Sequence, residues 1–350
     1  MSHHNQTLIN QLYRQAKLDS SAFTLLLSSA DEKDRAYAAK LARQVATDSF
    51  GRNIYMRGLI EFTNHCKNNC FYCGLRRDHR GLKRYRLNEH EILNAAAVAH
   101  AAGCRTIVLQ GGEDPALTVS WVANLIRSLK RNWPDTAITL SLGERSATDY
   151  KTWFAAGADR YLLREETASP ELYNHLHPPE MTLANRLNCL AALKDIGYQT
   201  GAGFLVGSPS QTAEDLAADL IFIQSFQPAM IGIGPFLPQA DTPFGREKPG
   251  DPELTLFLIS LLRLMLPHGL IPATTAIGTA LPDGYQRAIL AGANVIMPNF
   301  TPLQVRKLYS LYDHKREAGD SASSTDELFR EINYRTVIDR GDFPDHYDRH

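Results

Sequence analysis

The fold this sequence predicts is α/β, a (β/α)8 barrel of the TIM type with helices capping one end. Three observations carry that expectation. Eight short apolar or β-branched runs recur along the chain, helical segments separate them, and glycines fall just after several of those segments. Short continuous apolar runs are the mark of parallel strands covered on both faces. A closed barrel of this kind takes about 250 residues, and residues 54 to 312 supply that length.

Taken in order, residues 5 to 48 read as two amphipathic helices. The strands follow as Arg57–Thr63, Thr106–Leu109, Ala137–Ser141, Arg160–Arg164, Thr200–Val206, Met230–Ile233, Ile271–Thr275 and Asn294–Met297. Helical segments lie between them at Glu89–Ala102, Val119–Arg131, Leu183–Ile196, Ala213–Ser225, Pro252–Leu266 and Gly284–Ala291. Gly103, Gly157, Gly197 and Gly292 sit where a left-handed terminating residue is wanted. Beyond the last strand, Asp313–Thr325 is polar and contains Ser321-Ala-Ser-Ser, which predicts a flexible link. The charged stretch from Asp326 has room for one helix and ends in Asp345-His-Tyr-Asp-Arg-His. The expected division is a helical cap over 1–50, a barrel over 51–312 and a polar C-terminal tail over 313–350.

Lys and Arg number 37 against 38 Asp and Glu, a formal net charge of −1. That balance exerts no global pull on nucleic acid or anionic lipid, so neither is expected as a partner. The longest apolar run, Leu254 to Leu266, is interrupted by Arg263 and stopped by Pro267. A membrane helix needs about 20 apolar residues. The opening Met1-Ser-His-His-Asn-Gln lacks a secretory pattern, and five cysteines make an odd set. Both point to a reducing, cytoplasmic setting.

Three of the cysteines crowd into Cys66-Lys-Asn-Asn-Cys70-Phe-Tyr-Cys73, while Cys104 and Cys189 stand alone as small buried hydrophobes. Three thiolates in one loop repel unless a metal group neutralises them. Structural zinc wants four ligands, and His65 or His79 could supply the fourth. An iron–sulfur cube also takes thiolates, usually four. Three would leave one iron open to an outside ligand. The spacing resembles that of the radical S-adenosylmethionine (SAM) superfamily, in which the aromatic position held here by Tyr72 sits by the adenine.

In a barrel the chemistry collects at the C-terminal ends of strands. The cysteine loop follows the first strand, and Gln110-Gly111-Gly112-Glu113 follows the second. Paired glycines let a ligand approach the backbone closely. Arg164 and Glu166 close the fourth strand, and Arg186 opens the next helix. A carboxylate can accept ribose hydroxyls and a guanidinium can grip a carboxylate, which suits a zwitterionic nucleoside. The basic run Arg76, Arg77, Arg80, Lys83, Arg84 and Arg86 could contact RNA phosphates. The near-neutral chain favours a loop whose cations offset the thiolates and pair with acidic neighbours.

The segment Cys66 to Arg77, with its Cys-Gly-Leu-Arg-Arg ending, resembles the HydE family of FeFe-hydrogenase maturases. Leu82-Lys-Arg-Tyr-Arg86, Thr139-Leu-Ser-Leu-Gly-Glu144, Ala158-Asp-Arg-Tyr-Leu-Leu-Arg164 and Asn185-Arg-Leu-Asn-Cys-Leu190 resemble it as well. So do Gly232-Ile-Gly-Pro-Phe236, Ile271-Pro-Ala-Thr-Thr275 and Ala293-Asn-Val-Ile-Met-Pro-Asn299. The resemblance implies a 4Fe-4S cluster on Cys66, Cys70 and Cys73, with SAM contacted by Tyr72, Gln110, Gly111, Gly112, Arg164, Glu166, Arg186 and Tyr309. It implies a cavity lined by Arg57, Thr139, Arg160, Met230, Thr274, Thr275, Met297 and Tyr312, with Arg160 and the threonine pair at the substrate end. The implied substrate is a small organometallic iron species in assembly of the hydrogenase H-cluster, made by maturase G and passed toward maturase F. Reductive SAM cleavage further implies a low-potential electron donor. Two departures stand out. No cysteine follows Cys189, so the peripheral second cluster of some members is not expected. Gly111 replaces a frequent Ser, leaving a backbone contact. Methylornithine synthase and biotin synthase are the enzymatic rivals, although only Cys104 and Cys189 remain for the second cluster biotin synthase needs. A zinc- or iron-binding structural protein is the non-enzymatic rival.

Overall fold

Most of the helices between the strands begin where a side chain caps a free amide, as Asn88, Thr118, Thr182, Thr212 and Asp251 do. A computed structural model describes residues 2–315 and 322–344. The expected pair of N-terminal helices is three: Ser2–Gln15, Ser20–Ser29 and Glu32–Phe50. The reason is local. Asp19 accepts from Ala22 N, and Asp31 forms a reciprocal capping box with Asp34. Each cap starts a new helix where a weak amphipathic pattern reads as continuous. The last two helices pack on the outer helices Ala213–Phe226 and Pro252–Met265.

Strand β1 runs as Asn53–Met56 and, bending at Arg57, as Gly58–Thr63. It is followed by β2 (Thr106–Gly111), β3 (Ala137–Ser141), β4 (Arg160–Leu162), β5 (Gln199–Ala202), β6 (Met230–Ile231), β7 (Pro272–Ala273) and β8 (Val295–Ile296). Neighbours pair in parallel from β1 to β6, with Val108 opposite Thr139, Thr139 opposite Arg160 and Gly201 opposite Met230. A bridge between Met230 and Leu270 carries the ring toward β7, and β8 pairs with both β7 and β1. The eight-stranded barrel therefore closes. Several strands stop short of their expected ends, and the one expected to reach Val206 is broken at Gly203, which adopts φ +150. A separate parallel pair, Leu205–Val206 with Gly234–Pro235, extends the rim.

Helices Ala147–Ala155, Pro170–Leu176, Thr275–Ala280 and Leu303–Arg306 add to those expected. Thr275, read as a strand end, opens a short helix with Thr274 at its cap position. Arg263, which interrupts the apolar run, is fully buried. It donates to the carbonyls of Gly292, Leu266 and Pro267 and to Asn294 Oδ1.

The C-terminal segment differs most from its expectation as a polar tail. Helix Ala322–Arg330 is followed by β9 (Arg335–Val337), which joins β1 in parallel, Ile54 opposite Thr336. Asp326 Oδ1 ties the two elements by accepting from the amide and hydroxyl of Thr336. Residues 340–343 then cross the N-terminal end of the barrel. Part of the expected link, 316–321, and the whole closing Asp345–His350 stretch lie outside the described residues. Among the described residues no helix is long and apolar enough to cross a membrane.

Candidate active site

A cavity of about 350 Å³ opens at the C-terminal ends of the strands and runs down to Arg57. All the sequence-predicted site residues line it except Arg160.

The cysteine loop forms one side of its mouth. Arg84 turns inward and donates to the carbonyls of Asn64, Leu75 and Arg76 at 2.5–2.8 Å, while Arg86 grips Asp114 with two bonds. Two cations of the basic run thus build the loop itself. Burial first, and then the neighbouring cysteines, push the Cys70 thiol well up and that of Cys73 to about 12; burial raises Cys66 too. Such thiols ionise together only with a cationic group among them, as an iron–sulfur cluster supplies. A mononuclear zinc site fits less well. His79 is engaged elsewhere, through Gly74 O at 2.7 Å and Asp241 at 3.2 Å. Among the described residues, no three His, Cys, Asp or Glu side chains converge as one ion requires.

Gly112 lets the β2 turn lie against this loop. A Cβ there would stand 2.4 Å from His65 O and 2.7 Å from the Cys66 Cβ. Gln110 donates to the Tyr309 hydroxyl at 3.3 Å, and Glu113 accepts from Glu144 N at 2.8 Å. Tyr72 is held by His177, a residue the sequence reading missed. His177 Nδ1 lies 2.9 Å from Tyr173 O, and a carbonyl only accepts, so the proton is on Nδ1. Nε2 therefore accepts from the Tyr72 hydroxyl at 3.2 Å. Burial, then the Arg186 charge, drives the His177 pKa down to about 3, keeping the ring neutral.

On the opposite side Arg164 and Glu166 stand 2.9 Å apart as an ion pair, but not aligned for a hydrogen bond. Arg164 Nε and Nη2 and Glu166 Oε2 are buried with hydrogen-bonding capacity unused. Glu166 adopts φ +68, a left-handed conformation locked by its amide to Gly203 O and its carbonyl to Leu205 N. Arg186 donates to Glu144 at 2.6 Å and to Arg164 O at 2.5 Å. The residue Glu144 orients Arg186. It lies inside a motif the sequence reading quoted without giving it a role.

At the floor, Arg57 donates to Met230 Sδ at 3.0 Å, while its Nε and Nη2 are buried without partners, as is the Thr139 hydroxyl. Burial, then the neighbouring Arg160 charge, presses the Arg57 pKa well down. A guanidinium keeps its proton, so this marks a buried cation that, among the described residues, feels the Asp342 carboxylate but forms no ion pair of its own. Thr274 donates to Ile233 O at 3.2 Å. Near the mouth Lys315 pairs with buried Glu61, which also accepts from Asn299. Neither Lys315 nor Glu61 was singled out from sequence, since a lone lysine after the barrel carries no motif.

Arg160 requires a correction. It was expected among the substrate contacts, but it opens β4 and reaches down to the barrel floor. There its guanidinium is satisfied by Thr106 Oγ1, Gln199 Oε1, the carbonyls of Arg340 and Gly341, and Asp342 at 2.7 Å.

The comparisons with known proteins agree with this geometry. Residues 60–223 match the Radical SAM superfamily. The FeFe hydrogenase maturase subunit HydE of Thermotoga maritima is 47% identical over 304 residues, 85% of this chain and 86% of that protein. A 3-methylornithine synthase from Methanosarcina acetivorans is 30% identical, covering 78% of this chain and 76% of its own. A crystal structure of methylornithine synthase superposes with TM-score 0.83 at 25% identity, over 94% of this chain and 97% of that one. This chain is an enzyme of the HydE family of FeFe hydrogenase maturases, within the radical SAM superfamily.

Proposed function

We propose that this enzyme cleaves SAM reductively and acts on a small anionic organometallic iron precursor of the hydrogenase H-cluster. The precursor would come from maturase G, the product would go toward maturase F, and a low-potential donor would supply electrons. Cys66, Cys70 and Cys73 would hold a 4Fe-4S cluster, which when bound supplies the electron that breaks a C–S bond of SAM. Gln110, the backbone of Gly111 and Gly112, and Arg164, Glu166 and Arg186 would hold SAM, with Tyr72 beside the adenine and Tyr309 nearby. The unused Arg164 nitrogens and Glu166 oxygen fit a ligand carrying both carboxylate and hydroxyls. Met297, Tyr312 and the Thr274–Thr275 pair would wall the reacting end and exclude water, with Met230 and Thr139 below.

One observation carries the substrate assignment. Among the described residues, the buried polar atoms without partners toward the floor are Arg57 Nε and Nη2, which only donate, and the Thr139 hydroxyl, which can donate. The cavity carboxylates Glu61, Glu113 and Glu166 each already have a cation: Lys315, Lys67 and Arg164. An anionic cyanide complex needs donors. Lysine, the substrate of the methylornithine-synthase reading favoured by the 30% relative, needs free carboxylates for its ammonium groups.

Anaerobically reconstituted protein should hold about four irons and four sulfides. Ala at any of the three cysteines should abolish SAM cleavage. With reductant and SAM, the maturase G product should stimulate deoxyadenosine formation and lysine should not. Arg57→Met should remove the stimulation while SAM still binds. Lysine isomerisation would overturn the assignment, and a colourless protein with stoichiometric zinc and no sulfide would overturn the cofactor.

A further inference from the structure

The segment that follows β9 meets the barrel floor through an unusual concentration of polar contacts. Arg160 is fully buried, and its guanidinium is bonded by Asp342 Oδ1 at 2.7 Å, Arg340 O at 2.9 Å and Gly341 O at 3.1 Å. The barrel supplies the rest, Thr106 Oγ1 at 2.8 Å and Gln199 Oε1 at 3.1 Å. Gln199 also receives Phe343 N and donates to Asp342, and Thr106 donates to Arg340 O. Arg340 bonds Asp342 at 2.7 Å and Asp159 at 2.9 Å. Gly341 is buried at φ +56, where a Cβ would stand 2.6 Å from the Tyr55 ring. Only glycine lets the chain lie this flat on β1.

Two buried arginines, one from β1 and one from β4, therefore face each other across the floor, and they are treated differently. Arg160 has every acceptor it can use: three of its five partners come from the C-terminal segment, and the other two, Thr106 and Gln199, are themselves bonded to it. Among the described residues Arg57 has no carboxylate within ion-pair distance, and two of its nitrogens are unpartnered toward the cavity.

We infer that residues Arg340–Phe343 shape the substrate cavity: they back its floor and, through Asp342, hold Arg160 out of it, so that of the two arginines only Arg57 presents its donors to an anion. Asp342 and the carbonyls of Arg340 and Gly341 are positioning groups, acting through Arg160 on the field at Arg57. The inference rests on the anionic-substrate reading above. It gives the C-terminal segment a role in deciding the charge of what the cavity accepts.

The test is calorimetric titration of reconstituted full-length protein, with SAM, by nitrate, a planar monoanion that a guanidinium binds side-on. Wild type should bind nitrate, and Arg57→Met should not. Asp342→Asn keeps the shape and removes one negative charge near both arginines. Removing the repulsion between that carboxylate and the nitrate, roughly 10 Å apart at an effective dielectric of about 25–50, predicts nitrate binding roughly three- to tenfold tighter. Gly341→Val displaces the segment with its charges retained; water admitted at the floor screens Arg57, outweighs the withdrawal of the Asp342 carboxylate and should weaken nitrate roughly tenfold. Opposite signs in the two variants are the signature, because a merely structural role weakens both. If Gly341→Val does not fold, the tightening in Asp342→Asn decides alone. Unchanged or weaker affinity in Asp342→Asn, with wild type binding through Arg57, overturns the inference and leaves the anionic-substrate reading intact. No binding by wild type, or equal binding by Arg57→Met, overturns both.

Discussion

Glu166 pays for its position in backbone strain, since a non-glycine residue at φ +68 costs on the order of 1–3 kcal/mol. Two strand-type hydrogen bonds to Gly203 and Leu205 hold it there, and the carboxylate is thereby aimed beside Arg164. Arg186 is placed by the opposite means, an unstrained helix position whose guanidinium is clamped by Glu144 and Arg164 O. The two residues should fail differently. Glu166→Ala removes a charge-assisted contact of about 1.5–3 kcal/mol, so SAM affinity should fall roughly ten- to a hundredfold with iron and sulfide content unchanged. Arg186→Ala should weaken SAM similarly but also lower the unfolding midpoint, because it leaves Glu144 without its guanidinium. Binding by equilibrium dialysis and unfolding by circular dichroism separate the two effects. Unchanged affinity in both variants would put SAM on the wrong side of the barrel.

At the scale of elements, the β4 exit joins this strained glutamate to two buried carboxylates. Glu165 accepts from Gly203 N at 2.6 Å, and Asp219 from Thr167 Oγ1 at 3.0 Å and Ala168 N at 2.5 Å. Each keeps one buried oxygen without a partner. Burial raises the Glu165 pKa from 4.5 to about 7, against the Gly203 amide, and raises Asp219 well above its ordinary value. A carboxyl raised on folding stabilises the fold fully below its unfolded pKa and ceases to do so as pH climbs through the folded one. Wild type should therefore lose on the order of 3 kcal/mol between about pH 4.5 and 7 from this group, and Glu165→Gln should not. Urea unfolding at pH 5 and pH 8 measures the difference; equal slopes in the two proteins would refute it. The sequence shows β4 clearly, yet not this arrangement. Apolar runs and capping residues declare strands and long helices, so Leu183–Ile196 is found to the residue. The cavity wall is legible because motifs fall at strand ends. What stays hidden depends on long-range partners. Arg160 looks like a ligand contact until the chain returns 182 residues later as Asp342, and His177 has no signature apart from the Tyr72 it meets.

For the whole molecule, the two ends of one barrel do different work. The mouth is assembled from loops after β1, β2, β4 and β8, so its residues come from segments far apart in the chain: 64–87, 110–113, 163–168 and 303–315. The floor is closed by a covalently attached segment anchored through β9 and Asp342. A ligand that binds only the folded mouth ties those dispersed segments together and stabilises the native state by RT ln(1 + [L]/Kd), about 2.7 kcal/mol at a hundredfold excess over Kd. SAM should therefore raise the unfolding temperature of the reconstituted protein and slow amide exchange over 64–87, 163–168 and 309–315 together. Exchange over 335–343 should change little, because that segment is held by side chains SAM does not touch. Hydrogen–deuterium exchange read by mass spectrometry, with and without SAM, resolves these segments. Protection at the floor equal to that at the mouth would mean the two ends open as one unit, and the division of labour along the barrel axis would be wrong.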